Sequence, residues 1–283
     1  MINRQLVVTG VGYKEAKPTD ADSSVFTTPG IKPNMGACVA QHAAIAGYQV
    51  TIAARTSEKL ERVRRSILQR VPQAIVRCHP TDVLDPTRVE SLLQSLPTEP
   101  ELDLVQCAGA SAGSFEVQDG NFFFPIEETP LHMPTLEFET VVKSLLILVQ
   151  KALPRFKKQR RSRLVVVTSM SGMRAFPMGF SHCAGKGGLH EAVRSLALEL
   201  NPMGIRVCEV APGIVNTGLY DSPAVDSMVR RISERFDYHY SPGGIPEMTP
   251  DAVADAVMLC LLSDAHVLSI SLVSDGQFPH QSS

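Results

Sequence analysis

Three side chains of different chemistry stand within residues 163–186: the Ser169 hydroxyl, the His182 imidazole and the Lys186 amine. Ser169 follows the apolar run 164–167, LVVV, which has the length and β-branching of a buried strand. Thr168, Ser169 and Ser171 then turn the chain, a Gly/Pro-punctuated loop follows, and a helix is expected from about Ser181. His182 lies four residues before Lys186, so the two face the same side of that helix. A hydroxyl at the C-terminal end of a strand and an amine on the next helix converge on one cleft, where open α/β sheets bind ligands. A hydroxyl there can hold a developing oxyanion, and an imidazole can act as a general acid.

The elements needed to hold these groups can be read along the chain. Apolar runs at 5–9, 49–54, 74–78, 102–105, 164–167, 205–210 and 267–273 read as strands. Helical patterns lie between them, including an amphipathic helix that Ser57 is expected to cap and a long apolar helix at 138–156. This alternation predicts an α/β fold: a single doubly wound, Rossmann-like parallel-sheet domain over residues 1–283, with about seven strands and helices on both faces. Two segments stand outside the alternation. Residues 11–33 form a polar, Pro/Gly-punctuated insertion, read either as a surface loop or as a lid, and residues 218–249 are the expected substrate loop. Phe122, Phe123 and Phe124 read as a lid or, preferably, as a satellite hydrophobic cluster.

Bulk properties exclude several classes. The 283 residues carry a net charge of −2 with both signs dispersed, which gives no electrostatic reason for a nucleic-acid or acidic-membrane partner. The one dense basic run, 155–163, reads as a solvated helix end. The six cysteines lie singly, without CxxC or metal-ligand spacing, as expected for reduced thiols in a cytoplasmic compartment and for a site without metal. There is no signal-peptide pattern, and no apolar run approaches the roughly 20 residues of a membrane span.

Residues 163–186 resemble the active-site segment of the short-chain dehydrogenase/reductase family, in which a catalytic Ser is followed by a Tyr-x-x-x-Lys helix. Ser169 and Lys186 stand at the family's spacing, and His182 occupies the Tyr position. The resemblance covers essentially the whole chain and is closest over 163–217. It implies a nicotinamide cofactor at Gly10, at Asn34 and Gly36 in place of the family's second and third glycines, and at the adjoining Met35. It further implies contacts at Arg55 and Thr56 after the second strand, at Asp82 and Val83 beside the adenine, and at Ala108 and Gly109. Lys186 would grip the nicotinamide ribose. The turn Pro212, Gly213, Ile214, Val215 and Thr217 would meet the carboxamide and pyrophosphate. Asp82 also reads as an N-cap of the following helix, and both roles can hold at once. Arg55 stands where an acidic residue would bind a ribose hydroxyl and can instead pair with a 2′-phosphate, which favours NADP(H) over NAD(H).

In the family, Ser donates to the substrate oxygen, Tyr delivers the proton, and an Asn on the long helix holds a relay water. The helix at 138–156 has no Asn; Thr140, Ser144 and Gln150 are its uncharged polar residues. Gln106 and Cys107 stand where the family has two asparagines. His182 reads as the acid, as an orienting group, or as a tolerated substitution in a non-catalytic site. An imidazole reaches less far than a phenol, and the Lys186 ammonium disfavours an imidazolium because like charges repel. Tyr13, Tyr238 and Tyr240 are the alternative sources of a phenol. The expected function is NADP(H)-dependent oxidoreduction of a small-molecule carbonyl or alcohol at a Ser169–His182–Lys186 site. The alternative is a relative that binds NADP(H) but performs isomerisation, cyclisation or proton transfer, or only binds. A homodimer or homotetramer is expected through the long central helices.

Overall fold

The computed structural model describes residues 3–15, 30–109, 123–218, 223–237, 239 and 245–277. Seven strands, β1 (Gln5–Thr9), β4 (Gln49–Ala54), β5 (Val76–Pro80), β6 (Leu102–Gln106), β7 (Ser162–Val167), β8 (Ile205–Pro212) and β9 (Ser269–Leu272), form one sheet. Its order is β5-β4-β1-β6-β7-β8-β9, and every pairing is parallel. Leu6, Val7 and Val8 are fully buried, as are Leu164, Val165 and Val166. Strands covered on both faces have no solvent side, which is why they read as unbroken apolar runs.

Helices α1 (Met35–Ala46), α2 (Ser57–Arg70) and α8 (Pro250–Leu262) bury one face of the sheet. Helices α3 (Pro86–Gln94), α5 (Ser144–Phe156) and α6 (Phe180–Leu200) bury the other. The order reverses between β4-β1 and β6-β7, so the crevice at the C-terminal ends of β1 and β6 is the topological switch point. The doubly wound fold expected from the alternation is therefore present.

Four details differ from the sequence reading. The insertion at 11–33 is not structureless at its base: β2 (Tyr13–Glu15) and β3 (Ile31–Pro33) pair as an antiparallel ribbon. Three-residue strands are too short to show a period. The long helix begins earlier than expected, because α4 (Met133–Phe138) runs through a π-helical turn (Glu139–Lys143) into α5. Pro134 in its first turn reads as a loop residue, yet Pro is tolerated there because the N–H groups of the first turn lack helical partners. Ser57 is the first residue of α2; Thr56 is its N-cap and makes no side-chain capping bond. The segment 218–249 contains helix α7 (Pro223–Phe236).

A third apolar cluster sits apart from the two sheet faces. Phe123, Met133, Met178, Met228 and Ile232 are buried together, with Phe124, Phe176 and Phe236 packed against them. Phe123 and Phe124 thus belong to a satellite cluster, while Phe122 lies outside the described residues. Among the described residues, no helix is long and apolar enough to cross a membrane.

Candidate active site

The C-terminal ends of β1, β6, β7 and β8 bring the candidate residues to one edge of the sheet. At β1, Gly10 adopts φ 75°, and a Cβ there would stand 2.5 Å from the Ala108 backbone N. A Cβ at Gly36 would stand 2.8 Å from the Gly10 carbonyl oxygen. Both positions therefore need glycine for a close backbone approach. Asn34 caps α1: its Oδ1 accepts from Ala37 N at 3.0 Å and from Gly12 N at 3.1 Å, while its Nδ2 donates to Gly10 O at 2.8 Å. One side chain thus ties the turn to the helix, which explains Asn at this position. Among the described residues, the Met35 and Gly36 N–H groups at the positive end of α1 have no protein acceptor.

Beyond β4, Arg55 and Thr56 are exposed. Arg55 makes no side-chain hydrogen bond or ion pair among the described residues. Asp82 is not the cap of α3. It accepts from Leu84 N at 3.0 Å, and Asp85 is the cap, accepting from Thr87 N and Arg88 N at 2.9 and 3.2 Å. Val83 follows Asp82 in the same turn.

At β6, Gln106 is buried and donates to Val141 O (3.3 Å) and Ser144 Oγ (3.0 Å), which pins the strand to the π-helical turn. Burial pushes the Cys107 thiol up to about 12, opposed by the nearby Lys186 ammonium. At β8, Val215 N has no protein acceptor among the described residues, and the Pro212–Gly213 turn is held by Ile214 N donating to Gln277 Oε1 at 2.9 Å. Gly213 has no room for a Cβ because Gln277 packs there. Gln277 was not singled out in the sequence, where a polar residue near a terminus carries no signal. The ribbon reaches this turn as well: Lys14 Nζ donates to Gly218 O at 2.7 Å, just past Thr217.

At β7, Ser169 is extended and begins a short 3₁₀ turn (Met170–Gly172); its Oγ accepts from Ser171 N at 3.2 Å and from Ser171 Oγ at 2.7 Å. A Cβ at Gly172 would lie 2.6 Å from Lys186 O, so the Ser169 turn sits directly on α6. Beneath it, Thr168 Oγ1 donates to Glu209 Oε1 (2.7 Å), and Glu209 also pairs with His190 Nδ1 (2.8 Å). These bonds join β7, β8 and α6 and fix the helix that carries His182 and Lys186.

Lys186 is buried, with its Nζ 3.6 Å from where a Cβ on Gly109 would stand. Desolvation lowers its pKa below the usual lysine value, while Glu137 and Cys107 act in the opposite direction. His182 is walled by the rings of Phe123 and Phe176, at centroid distances of 6.1 and 6.4 Å. Its Nδ1 lies 3.2 Å from Oε1 of Glu137 on α4. Glu137 is 1 % exposed, and the sequence reading missed it. Its one sequence signal is Gly185: any Cβ there would collide with Glu137 Cγ.

Of the alternative phenols, Tyr13 packs in the cluster on the α1–α2 face, with the Arg62 guanidinium 4.9 Å from its ring centroid and donating to its hydroxyl at 3.4 Å. Tyr238 and Tyr240 lie outside the described residues. Among the described residues, no group of three or more His, Cys, Asp or Glu side chains is placed to hold a metal ion.

The sequence model of the family described as short chain dehydrogenase matches residues 28–225. An uncharacterized oxidoreductase of Staphylococcus aureus (strain MW2) is 25% identical over 222 residues, covering 78% of this chain and 83% of that one. Among solved structures, a short chain oxidoreductase from Pseudomonas aeruginosa PAO1, described as containing an atypical catalytic center, superimposes with TM-score 0.71 at 21% identity, covering 98% of this chain and 97% of that one. An alcohol dehydrogenase from the archaeon Thermococcus sibiricus, complexed with 5-hydroxy-NADP, gives TM-score 0.69 at 22% identity over 98% and 99% of the two chains.

Proposed function

Because the chain belongs to the short chain dehydrogenase family, we propose that it is an NADP(H)-dependent oxidoreductase that interconverts a small-molecule carbonyl and its alcohol. The observation that carries this reading is the arrangement of Ser169 and Lys186 on two elements in direct contact, with His182 one turn before the lysine on α6.

The residues present fit a nicotinamide dinucleotide. Gly10 and Gly36 leave a cradle that a Cβ would fill, and Met35 and Gly36 offer free N–H groups for a pyrophosphate. Gly109 leaves room beside Lys186, and Val215 N is a free donor for a carboxamide. Arg55, exposed and without a protein partner among the described residues, supplies the charge for a 2′-phosphate. Two structural neighbours support that choice: the Thermococcus enzyme holds 5-hydroxy-NADP, and a second structure of the Pseudomonas oxidoreductase holds NADPH.

The nicotinamide, when bound, supplies the hydride. In this reading Ser169 donates to the substrate oxygen and stabilises its developing charge. His182 delivers a proton to that oxygen from Nε2, since Nδ1 faces Glu137. Lys186 holds the nicotinamide ribose from its buried position, and Phe123 and Phe176 exclude water from one side of the imidazole. Six free thiols accord with a reducing, cytoplasmic setting. Phe138, Leu146 and Leu198 are 49, 50 and 81 % exposed on the α4–α5 and α6 helices, which supports a homodimer or homotetramer; sedimentation as a monomer at micromolar concentration would reject it.

One observation favours a second reading. A buried Glu137 beside a partly exposed His182 can also move a proton without hydride transfer, so isomerisation at a site that retains NADP(H) stands as the alternative. Fluorescence titration with NADPH, followed by turnover with a panel of ketones and aldehydes, separates the two. Oxidation of NADPH supports the first reading, and binding without oxidation supports the second.

A further inference from the structure

We propose that Glu137 is the positioning residue of this site: it holds the neutral ring of His182 as the Nδ1–H tautomer and supplies the counter-charge for its imidazolium beside Lys186. The inference rests on the reading of His182 as the proton donor. A carboxylate is rarely buried without a partner, because desolvating the charge is costly. Glu137 is nevertheless 1 % exposed on α4, inside the layer formed by α4 and α6. The chain makes room for it with Gly185, whose missing Cβ leaves the space that Glu137 Cγ fills. A core-filling residue would need no such cavity on α6 and would not place an oxygen 3.2 Å from an imidazole nitrogen.

The groups facing the ring can be named element by element. From α4 comes Glu137. From α6 itself come Lys186, one turn on, and Cys183, whose thiol burial keeps in its neutral form. From the flanking segments come the rings of Phe123 and Phe176, while at the end of β6 the Cys107 thiol, kept neutral by burial, lies near Lys186. Glu137 also acts on the Lys186 ammonium. One carboxylate therefore offsets two cations, which answers the repulsion that an imidazolium would otherwise meet. With Nδ1–H donating to Glu137, the proposal assigns proton transfer to Nε2. In reduction, the Nε2–H bond of the imidazolium would break as an O–H bond forms on the carbonyl oxygen, the hydride for its carbon being what the nicotinamide would supply when bound. The ring is left neutral with its remaining proton toward Glu137, and solvent returns a proton to Nε2.

Long-range ¹⁵N–¹H correlation spectra of histidine-labelled protein test this without turnover, with His182→Gln assigning the signals. The wild type is expected to show His182 as the Nδ1–H tautomer at high pH. In Glu137→Leu, which removes the acceptor facing Nδ1, that preference should be lost and the Nε2–H tautomer should appear. An Nε2–H tautomer in the wild type, or a tautomer unchanged in Glu137→Leu, would overturn the proposal. In turnover, Glu137→Gln should lower kcat about 10–100-fold. KM and NADPH affinity should stay within about twofold of wild type; a wild-type kcat counts against Glu137. If the spectra behave as expected while the wild type never oxidises NADPH, the reductase reading fails and the tautomer assignment stands.

Discussion

Gly185 and Glu137 are complementary: the glycine lacks the Cβ that would occupy the space of Glu137 Cγ, and the carboxylate this admits reaches Nδ1 of His182. Adding one methyl at position 185 therefore acts on the site through Glu137. In Gly185→Ala, overpacking costs about 1–3 kcal/mol, partly offset by the roughly 1 kcal/mol that Ala gains over Gly in a helix. The melting temperature should fall by no more than about 2–8 °C. Activity should fall about tenfold or more, since the carboxylate is displaced from the ring. Thermal melts and steady-state kinetics on the same preparation check this, and unchanged kinetics would mean that Glu137 relaxes without leaving His182.

Replacing His182 reads the mechanism directly. His182→Phe should lower kcat about 10²–10⁴-fold, the scale of a lost general acid, with NADPH affinity nearly unchanged because Lys186 remains. His182→Tyr restores the family's Ser–Tyr–Lys pattern at its own spacing and should keep or raise carbonyl reduction. A His182→Phe rate equal to wild type would remove the imidazole from proton transfer.

The proposed preference for NADP(H) is tested at Arg55, whose side chain is exposed and makes no ion pair among the described residues. Arg55→Ala should weaken NADPH binding by about 1.5–3 kcal/mol, the scale of a charge-assisted hydrogen bond, and leave NADH binding nearly unchanged. Fluorescence titration with both nucleotides measures the difference. Equal losses would assign Arg55 to the fold and not to the phosphate.

Away from the site, His42 joins α1 to α8 through Nε2 to Asp251 (2.9 Å) and Nδ1 to Asp255 (3.1 Å). Its pKa is raised above the ordinary 6.5, chiefly by the hydrogen bond to Asp251 and against the desolvation that lowers it. A group whose folded pKa is raised contributes stability that is fully present below the unfolded value and is lost as pH rises through the folded one. The wild type should therefore lose this contribution as pH rises above 6.5, and His42→Asn should lack that part of the slope. Half-burial and solvent screening keep the effect modest. Parallel melting curves for the two proteins would contradict the assignment.

The parts of the candidate site whose placement was legible in the sequence are those fixed by local backbone constraints. Gly10 must take a positive φ beside Ala108, Gly213 has no room for a side chain, and Ser169, His182 and Lys186 follow one strand and one helix at set intervals. Glu137 was not legible, because it lies 45 residues from His182 and reads as one more charge near a helix start. The same limit applies to the cap of α3: Asp82 and Asp85 are both plausible in sequence, and only the backbone places Asp85 at the cap. The β2–β3 ribbon was hidden for a different reason, since strands of three residues leave no alternation to detect.

Hydride transfer at the proposed His-centred site is tested most directly by a single titration. Wild-type protein should bind NADPH, seen as a change in nucleotide fluorescence. On addition of a suitable ketone or aldehyde, the bound NADPH should be oxidised, at a rate that His182→Phe lowers about 10²–10⁴-fold. NADPH that binds but is never oxidised by any member of a broad carbonyl panel would contradict the claim.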